Sequence, residues 1–165
     1  VHNSAAGGND GDEGRAIAFD SDGKIIVAGY SSNGSNYDMI IWRYNVEGTL
    51  DTSFNSVGYT VHHNAAGGND VDRGNSLAID SDGRILVAGG SENGLNEDIV
   101  VWRYNTNGSL DTSFNSVGYT VHHNVAGGNG GDIAYAIGID SSGKILLVGY
   151  SNNSSNNDLA IWRYK

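Results

Sequence analysis

The residues best suited to chemistry in this chain are oxygen donors on glycine-rich segments. Asn9-Asp10-Gly11-Asp12-Glu13 strings amide and carboxylate oxygens together, and the pattern returns as Asn69-Asp70-Val71-Asp72 and Asn129-Gly130-Gly131-Asp132. Hard cations such as Ca2+ are wrapped by oxygens of this kind, so Asp10, Asp12, Asp70, Asp72 and Asp132 form a candidate calcium set. The spacing is not that of an EF-hand loop, and the third copy has lost a carboxylate. The competing expectation is a surface loop held by Asn and Asp side chains that bond back to the backbone. Asp20-Ser21-Asp22-Gly23 and Asp80-Ser81-Asp82-Gly83 also carry paired carboxylates, but a tight hairpin turn calls for those residue types anyway. Ser142 breaks that set in the third copy.

Aromatic and charged residues recur at fixed positions. Trp42, Trp102 and Trp162 each stand two residues before Tyr44, Tyr104 and Tyr164. Rings repeated in this way can stack on sugar faces, or can bury a large area between packed sheets. On a strand the Trp and the Tyr share one face and the intervening Arg43, Arg103 or Arg163 points to the other. A guanidinium inside an apolar run such as IIWRYN needs a partner if it is buried. Asp51 and Asp111 can accept it through paired hydrogen bonds, which would tie strand to connector. Asp38, Asp98 and Asp158 recur as well. The histidines are His2, His62, His63, His122 and His123. Adjacent histidines on a strand face opposite ways, so one pair cannot chelate a metal alone.

Catalysis finds no support in these residues. There is no Cys nucleophile, no GxSxG elbow, no HExxH and no glycine-rich loop ending in Lys-Ser or Lys-Thr. The polar candidates come in copies, whereas an active site is one asymmetric constellation. The expectation is a non-enzymatic protein.

The copies themselves define the elements that hold these residues. LDTSFNSVGYTVHHN at Leu50–Asn64 recurs unchanged at Leu110–Asn124, 60 residues later. AIAFDSDGKIIVAGY (Ala16–Tyr30) becomes SLAIDSDGRILVAGG (Ser76–Gly90) and AIGIDSSGKILLVGY (Ala136–Tyr150), and DMIIWRY becomes DIVVWRY and DLAIWRY. The units run 1–60, 61–120 and 121–165 within a single repeat domain, and the third lacks the connector. Each complete unit reads as four strands: GYTVHH at 58–63, a short apolar strand at 76–79, RILVAG at 84–89 and DIVVWRY at 98–104. GGNDVDRG at 67–74 and the stretch 91–97 read as polar loops, and no window sustains helical periodicity. The two middle strands are apolar on both faces, as in stacked sheets.

Composition narrows the partners. The net charge is −10, which repels phosphate backbones and anionic membrane surfaces. There is no Cys, so neither a disulfide nor a thiolate metal site. With 25 Gly and only 17% charged residues, the chain solubilises itself with small polar groups, a common look for secreted β-proteins. No apolar run approaches the ~20 residues of a membrane-spanning helix. The start at Val1, without Met, suits a processed or excised piece of a longer chain.

The units resemble the delta-60 repeat, a bacterial family named for its period and regarded as propeller-forming. The resemblance rests on Asp22-Gly23-Lys24-Ile25-Ile26-Val27-Ala28-Gly29, Asp38, Arg43-Tyr44, Gly48-Thr49-Leu50-Asp51-Thr52-Ser53-Phe54 and Gly58, with matching text in the second copy. It implies an all-β repeat protein of propeller blades, common in exported or surface proteins without an assigned activity.

Three blades do not close a ring, since propellers run from about four blades upward. A fragment of a longer array, two chains sharing six blades, and a β-trefoil of three units are the readings that resolve this. VHN at the N-terminus reads as the outer strand of a blade begun elsewhere. The expected function is an extracellular or cell-surface interaction module that presents a rigid multivalent face to protein or glycan surfaces and self-associates or extends an array. Its alternatives are a lectin-like binder using Trp42, Trp102 and Trp162 or the loops around Asn33, Asn93 and Asn153, and a fragment of a propeller enzyme with a central metal. The cofactor expectation is none, or Ca2+ at the aspartate loops.

Overall fold

The computed structural model describes residues 2 and 4–164; Val1 and Asn3 of the VHN segment, and Lys165, lie outside the described residues. The chain forms three antiparallel sheets, each strand pairing with the next in sequence. The first blade holds β1 (Asp12–Phe19), β2 (Ile25–Ser32), β3 (Tyr37–Tyr44) and β4 (Tyr59–His62). The second holds β5 (Asp72–Ile79), β6 (Ile85–Glu92), β7 (Glu97–Tyr104) and β8 (Tyr119–His122). The third has β9 (Asp132–Ile139), β10 (Ile145–Asn152) and β11 (Asn157–Tyr164). The sheets are staggered against the sequence units: GYTVHH, read as the first strand of a unit, pairs with the strand before it and closes the preceding sheet, as β4 on β3 and β8 on β7. Each sheet is a blade of a β-propeller; a trefoil would pair strands between the sheets.

Local chemistry sets the hairpins. Asp20 Oδ1 accepts the amides of Asp22 and Lys24 at 3.0 and 2.9 Å, and Gly23 takes φ +77°, closing β1 onto β2. Asp80 and Asp140 accept the corresponding amides in the other blades.

The core lies between blades. Each blade has a forward face, turned to the next blade, and a rear face, turned to the preceding one. Ile26, Ala28, Met39 and Ile41 on the forward face of blade 1 pack with Ile85, Val87, Val100, Trp102 and Tyr104 on the rear face of blade 2. Leu86, Ala88, Ile99 and Val101 pack in the same way with Ala134, Ile145 and Leu147 of blade 3. Most of these residues are fully buried, and each large one contributes about 1.5–3 kcal/mol of transfer free energy. Both faces of β6 and β7 are covered, which is why these strands read as unbroken apolar runs; in β2 the rear-face residues Ile25 and Val27 are half-buried.

The first strands of successive blades, β1, β5 and β9, lie beside one another, so they stand nearest the propeller axis. Their starts differ from the sequence expectation. The stretch 67–74 reads as a loop, yet β5 already begins at Asp72. The early strand carries a β-bulge in every blade, with Arg15, Asn75 or Tyr135 as the extra, unpaired residue. The glycines opposite are obligatory: a Cβ on Gly29 would meet the Glu13 carbonyl oxygen at 1.8 Å, and one on Gly89 the Arg73 oxygen at 1.8 Å.

Candidate functional site

The bulge is what aims a side chain at the axis. A bulged residue escapes the ladder's strict alternation and can be re-aimed, which is why bulges collect beside functional sites. The bulge residues Arg15, Asn75 and Tyr135 meet in one axial cleft of about 320 Å³, completed by Tyr30, Tyr37, Arg73, Glu97 and Ile133. Arg15 Nη1 donates to Asn75 Oδ1 at 2.8 Å and bridges the first two blades. Asn75 Nδ2 donates to the Ala134 carbonyl at 3.0 Å and bridges the second and third.

The charges in this cleft are paired. Arg15 Nε lies 3.1 Å from Glu13 Oε1, and its guanidinium sits 4.9 Å from the Tyr30 ring centroid. Tyr30 donates its hydroxyl to Glu13 Oε2 at 2.5 Å. That bond holds the Glu13 carboxyl below its usual range and raises the Tyr30 hydroxyl. Arg73 Nη1 lies 3.4 Å from Glu97 Oε1. Burial pushes the Glu97 carboxyl up, against the pull of Arg73. Aromatic rings cluster around these pairs: Tyr30 and Tyr37 meet edge to face at 4.9 Å, and Tyr135 lies 5.8 Å from Tyr150. Tyr135 is 59% exposed, so its ring is open to a ligand.

The lining residues occupy only four positions of the unit. Equivalent residues, 60 apart, are Glu13, Arg73 and Ile133; Arg15, Asn75 and Tyr135; Tyr30, Gly90 and Tyr150; Tyr37, Glu97 and Asn157. Ser32, Glu92 and Asn152, which pair across the hairpin with Tyr37, Glu97 and Asn157, differ too. Around them the fold-forming text is nearly constant. The exchanges are mutually adjusted: Gly90 stands where the other copies have Tyr, and a Cβ there would meet Glu97 Oε1 at 2.3 Å. These residues escape a reading that looks for repetition, and the signal that finds them is the opposite one, divergence among copies.

The repeated candidates are placed elsewhere. Asp10 and Asp70 are exposed, while Asp72 and Asp132 are buried at the starts of β5 and β9. Asp72 Oδ2 accepts the Asn64 amide at 2.7 Å, and Asp132 Oδ1 accepts the Asn152 amide at 3.2 Å. Burial raises the Asp72 carboxyl to about 6; the Ser91 hydroxyl and the Asn64 amide oppose the rise and Asp38 adds to it. Among the described residues no three His, Asp or Glu groups gather closely enough to hold a metal ion.

Trp42 and Trp102 are 4% and 0% exposed, so neither offers a ring face to a sugar; Trp162 is half-buried. The rings pack instead on histidines of the preceding outer strand, His62 on Trp102 and His122 on Trp162. Burial lowers His62 to about 4. His123 turns the other way, with Nδ1 2.6 Å from Asp98 Oδ2.

Arg43 Nε lies 2.7 Å from Asp51 Oδ2, Nη1 donates to the Thr106 carbonyl at 2.6 Å, and the guanidinium covers the Phe54 ring. Burial would raise Asp51, but Lys24, Ser53 and Arg43 together hold it far below the usual carboxylate range. Arg103 pairs with Asp111 at 2.7 Å; Arg163 reaches Asp140 at 2.5 Å. Arg43, Lys24 and Ser53 also line a second cleft, of about 340 Å³, between the turn at Asp20–Asp22 and Thr106. Asn33, Asn93 and Asn153 close the β2–β3, β6–β7 and β10–β11 loops by accepting amides two and three residues on.

Comparison with known proteins agrees with the architecture. A solved fucose lectin from Kordia zhangzhouensis, in complex with methyl-fucoside, superposes with a TM-score of 0.53 at 12% identity, over 90% of this chain and 94% of that one. At that identity the likeness is one of fold. No curated protein matches the sequence. The model of a propeller domain of unknown function matches once in each repeat, at residues 21–54, 81–114 and 141–165. The three blades, their recurring text and this threefold match agree: the chain belongs to the DUF5122 β-propeller family.

Proposed function

We propose that this protein is a non-enzymatic binding module that takes neutral carbohydrate in the axial cleft between β1, β5 and β9. The observation that carries the reading is the coincidence of divergence and place. Folding acts on every copy alike and keeps it the same, whereas a single ligand on the axis meets each copy from a different side. Positions 13, 15 and 37 carry three different chemistries in the three copies, and residues at all three line the cleft; position 32, which also differs in every copy, pairs across the hairpin with position 37.

The chemistry suits a polyol. Arg73, Asn75 and Glu97 offer planar groups with paired donors or acceptors, the geometry that grips vicinal hydroxyls. Tyr135 and Tyr37 offer ring faces for the C–H side of a sugar. Arg15 and Arg73 balance Glu13 and Glu97, so a neutral ligand meets no net charge there, although the chain as a whole carries −10. The solved lectin of this fold, with its bound methyl-fucoside, lends the reading support. We read the site as binding rather than catalysing because its ionisable groups are tied to one another. The blades act as its rigid scaffold, and the Gly-, Asn- and Ser-rich composition supports work outside the cell.

A glycan array followed by calorimetry tests this. Wild type is expected to bind at least one neutral glycan, and Tyr135→Ala or Arg73→Ala to weaken it about 30-fold, the loss of ~2 kcal/mol typical of an anchor residue. Both variants are expected to melt like wild type. An array without neutral hits, or hits that both variants retain, would refute the site.

A further inference from the structure

Asn-Gly pairs stand at Asn33, Asn93, Asn107 and Asn129. Asn is a chemically labile side chain, and a following glycine, having no Cβ, leaves its own amide open to the side chain before it. The structure ties down three of these pairs. Asn33 Nδ2 donates to Asn36 Oδ1 at 2.5 Å and to the buried Asp38 Oδ2 at 3.0 Å, while its Oδ1 accepts the amides of Ser35 and Asn36. Asn93 repeats all four bonds with Asn96, Asp98 and Leu95. Asn107 Oδ1 accepts from the Ser109 amide and hydroxyl, and the Gly108 amide donates to the Asn105 carbonyl at 3.0 Å.

Asn129 differs. Among the described residues its hydrogen bonds run through the backbone alone: the carbonyl accepts Asn96 Nδ2 at 2.7 Å, and the N–H donates to Ser154 Oγ at 3.0 Å. The side chain is exposed. That exposure belongs to the position, because Asn69, its equivalent with a blade on either side, is exposed as well. Asn69 is protected in two other ways. Its Oδ1 accepts from Asn64 Nδ2 at 3.3 Å, and the residue after it is Asp70, whose side chain crowds the amide.

We propose that Asn129 is a site of spontaneous covalent modification, at which the Gly130 amide nitrogen displaces the side-chain amine and a carboxylate results. The Gly130 nitrogen gives its proton to solvent base and attacks Asn129 Cγ. The Cγ–Nδ2 bond breaks, ammonia leaves, and a cyclic imide forms. Water then opens the imide at either carbonyl, giving aspartate on the original backbone or isoaspartate, in which the chain runs through the side-chain carbon. No oxidation or reduction is involved.

The place gives the product a consequence. Asn129 ties the β6–β7 loop of blade 2 to blade 3, as Asn69 ties blade 1 to blade 2 by accepting Asn36 Nδ2 at 3.0 Å. Isoaspartate lengthens the chain by one carbon just before Gly130, which packs against the Asn152 side chain, and Gly131, whose carbonyl accepts the Asn152 amide at 3.2 Å. The junction of blades 2 and 3 is therefore the one that ages, and the junction of blades 1 and 2 is spared.

Peptide mapping by mass spectrometry, during incubation of the folded protein at mildly alkaline pH, reads the outcome. Asn129 is expected to convert to the aspartate and isoaspartate pair at least about tenfold faster than Asn33, Asn93 or Asn107, because their hydrogen bonds must first be broken. In urea, where those bonds are gone, the four are expected to convert at similar rates. Asn129→Gln is expected to remove the early product and to melt like wild type. Aged protein rich in isoaspartate is expected to melt below Asn129→Asp, which keeps the original backbone. Conversion of folded Asn129 no faster than that of the other three overturns the site. Equal melting of aged protein and Asn129→Asp overturns the consequence for the junction.

Discussion

Replacing Asp72 by Asn should stabilise the protein at neutral pH, by an amount that fades on acidification. Asp72 is 1% exposed; Oδ2 accepts the Asn64 amide, and Oδ1 has no protein partner among the described residues. Burial raises its carboxyl from 3.8 to about 6. A folded-state pKa above the unfolded one means the native state holds the proton more tightly. The contribution is fully present below the unfolded value near 3.8 and is lost as pH rises through about 6. At pH 7 the shift of about two units costs about 3 kcal/mol at 1.36 kcal/mol per unit. Asn keeps an acceptor for the Asn64 amide without the charge, so the variant should gain about 1–3 kcal/mol at pH 7. Near pH 4 its advantage should vanish.

Urea unfolding of both proteins between pH 4 and 8 measures this, and the difference between them cancels other groups. That matters because His62 acts in the opposite sense. Its pKa falls from 6.5 to about 4, so its contribution is present above 6.5 and lost as pH drops through about 4. A variant less stable than wild type at pH 7, by an amount independent of pH, would refute the reasoning. It would mean that the anion is stabilised, as a bound cation would do. Melting with and without chelator accompanies the comparison, and no shift in Tm is expected.

Two further perturbations probe the framework. Gly29→Ala and Gly89→Ala should each prevent normal folding of their blade, because a Cβ would overlap the carbonyl of the bulged strand at 1.8 Å; a melting curve like wild type would show that the bulge can relax. Trp102→Ala should cost about 3–5 kcal/mol, the range for removing a fully buried large aromatic side chain, measured by urea unfolding; a cost under about 1 kcal/mol would contradict its place between the blades.

Much of the fold was legible because burial acts on every copy. Ile-Leu-Val-Ala-Gly in β6 and Ile-Val-Val-Trp in β7 are apolar on both faces since the middle blade is sandwiched between its neighbours, and the 60-residue offset repeats that text in the other blades. The start of the inner strand was not legible. Asp72-Arg73-Gly74 looks like loop text because Arg73 lines the cleft, Asp72 is a buried carboxylate and Gly74 lets Gly29 and Met39 of blade 1 approach, so no apolar alternation marks it. A bulge adds one residue to one strand and leaves no compositional trace. The cleft was obscured for a related reason. Trp42, Arg43 and the aspartate loops attract notice by recurring, but what recurs in every blade serves every blade. Arg15, Asn75 and Tyr135 share neither type nor charge, and only the backbone brings them together.

The most direct test of the asymmetric cleft is the stoichiometry of glycan binding by titration calorimetry with the strongest array hit. A site built once, from three dissimilar bulge residues, predicts one ligand per chain. Two or three equivalent ligands per chain would place binding at repeated positions between the blades and contradict the account.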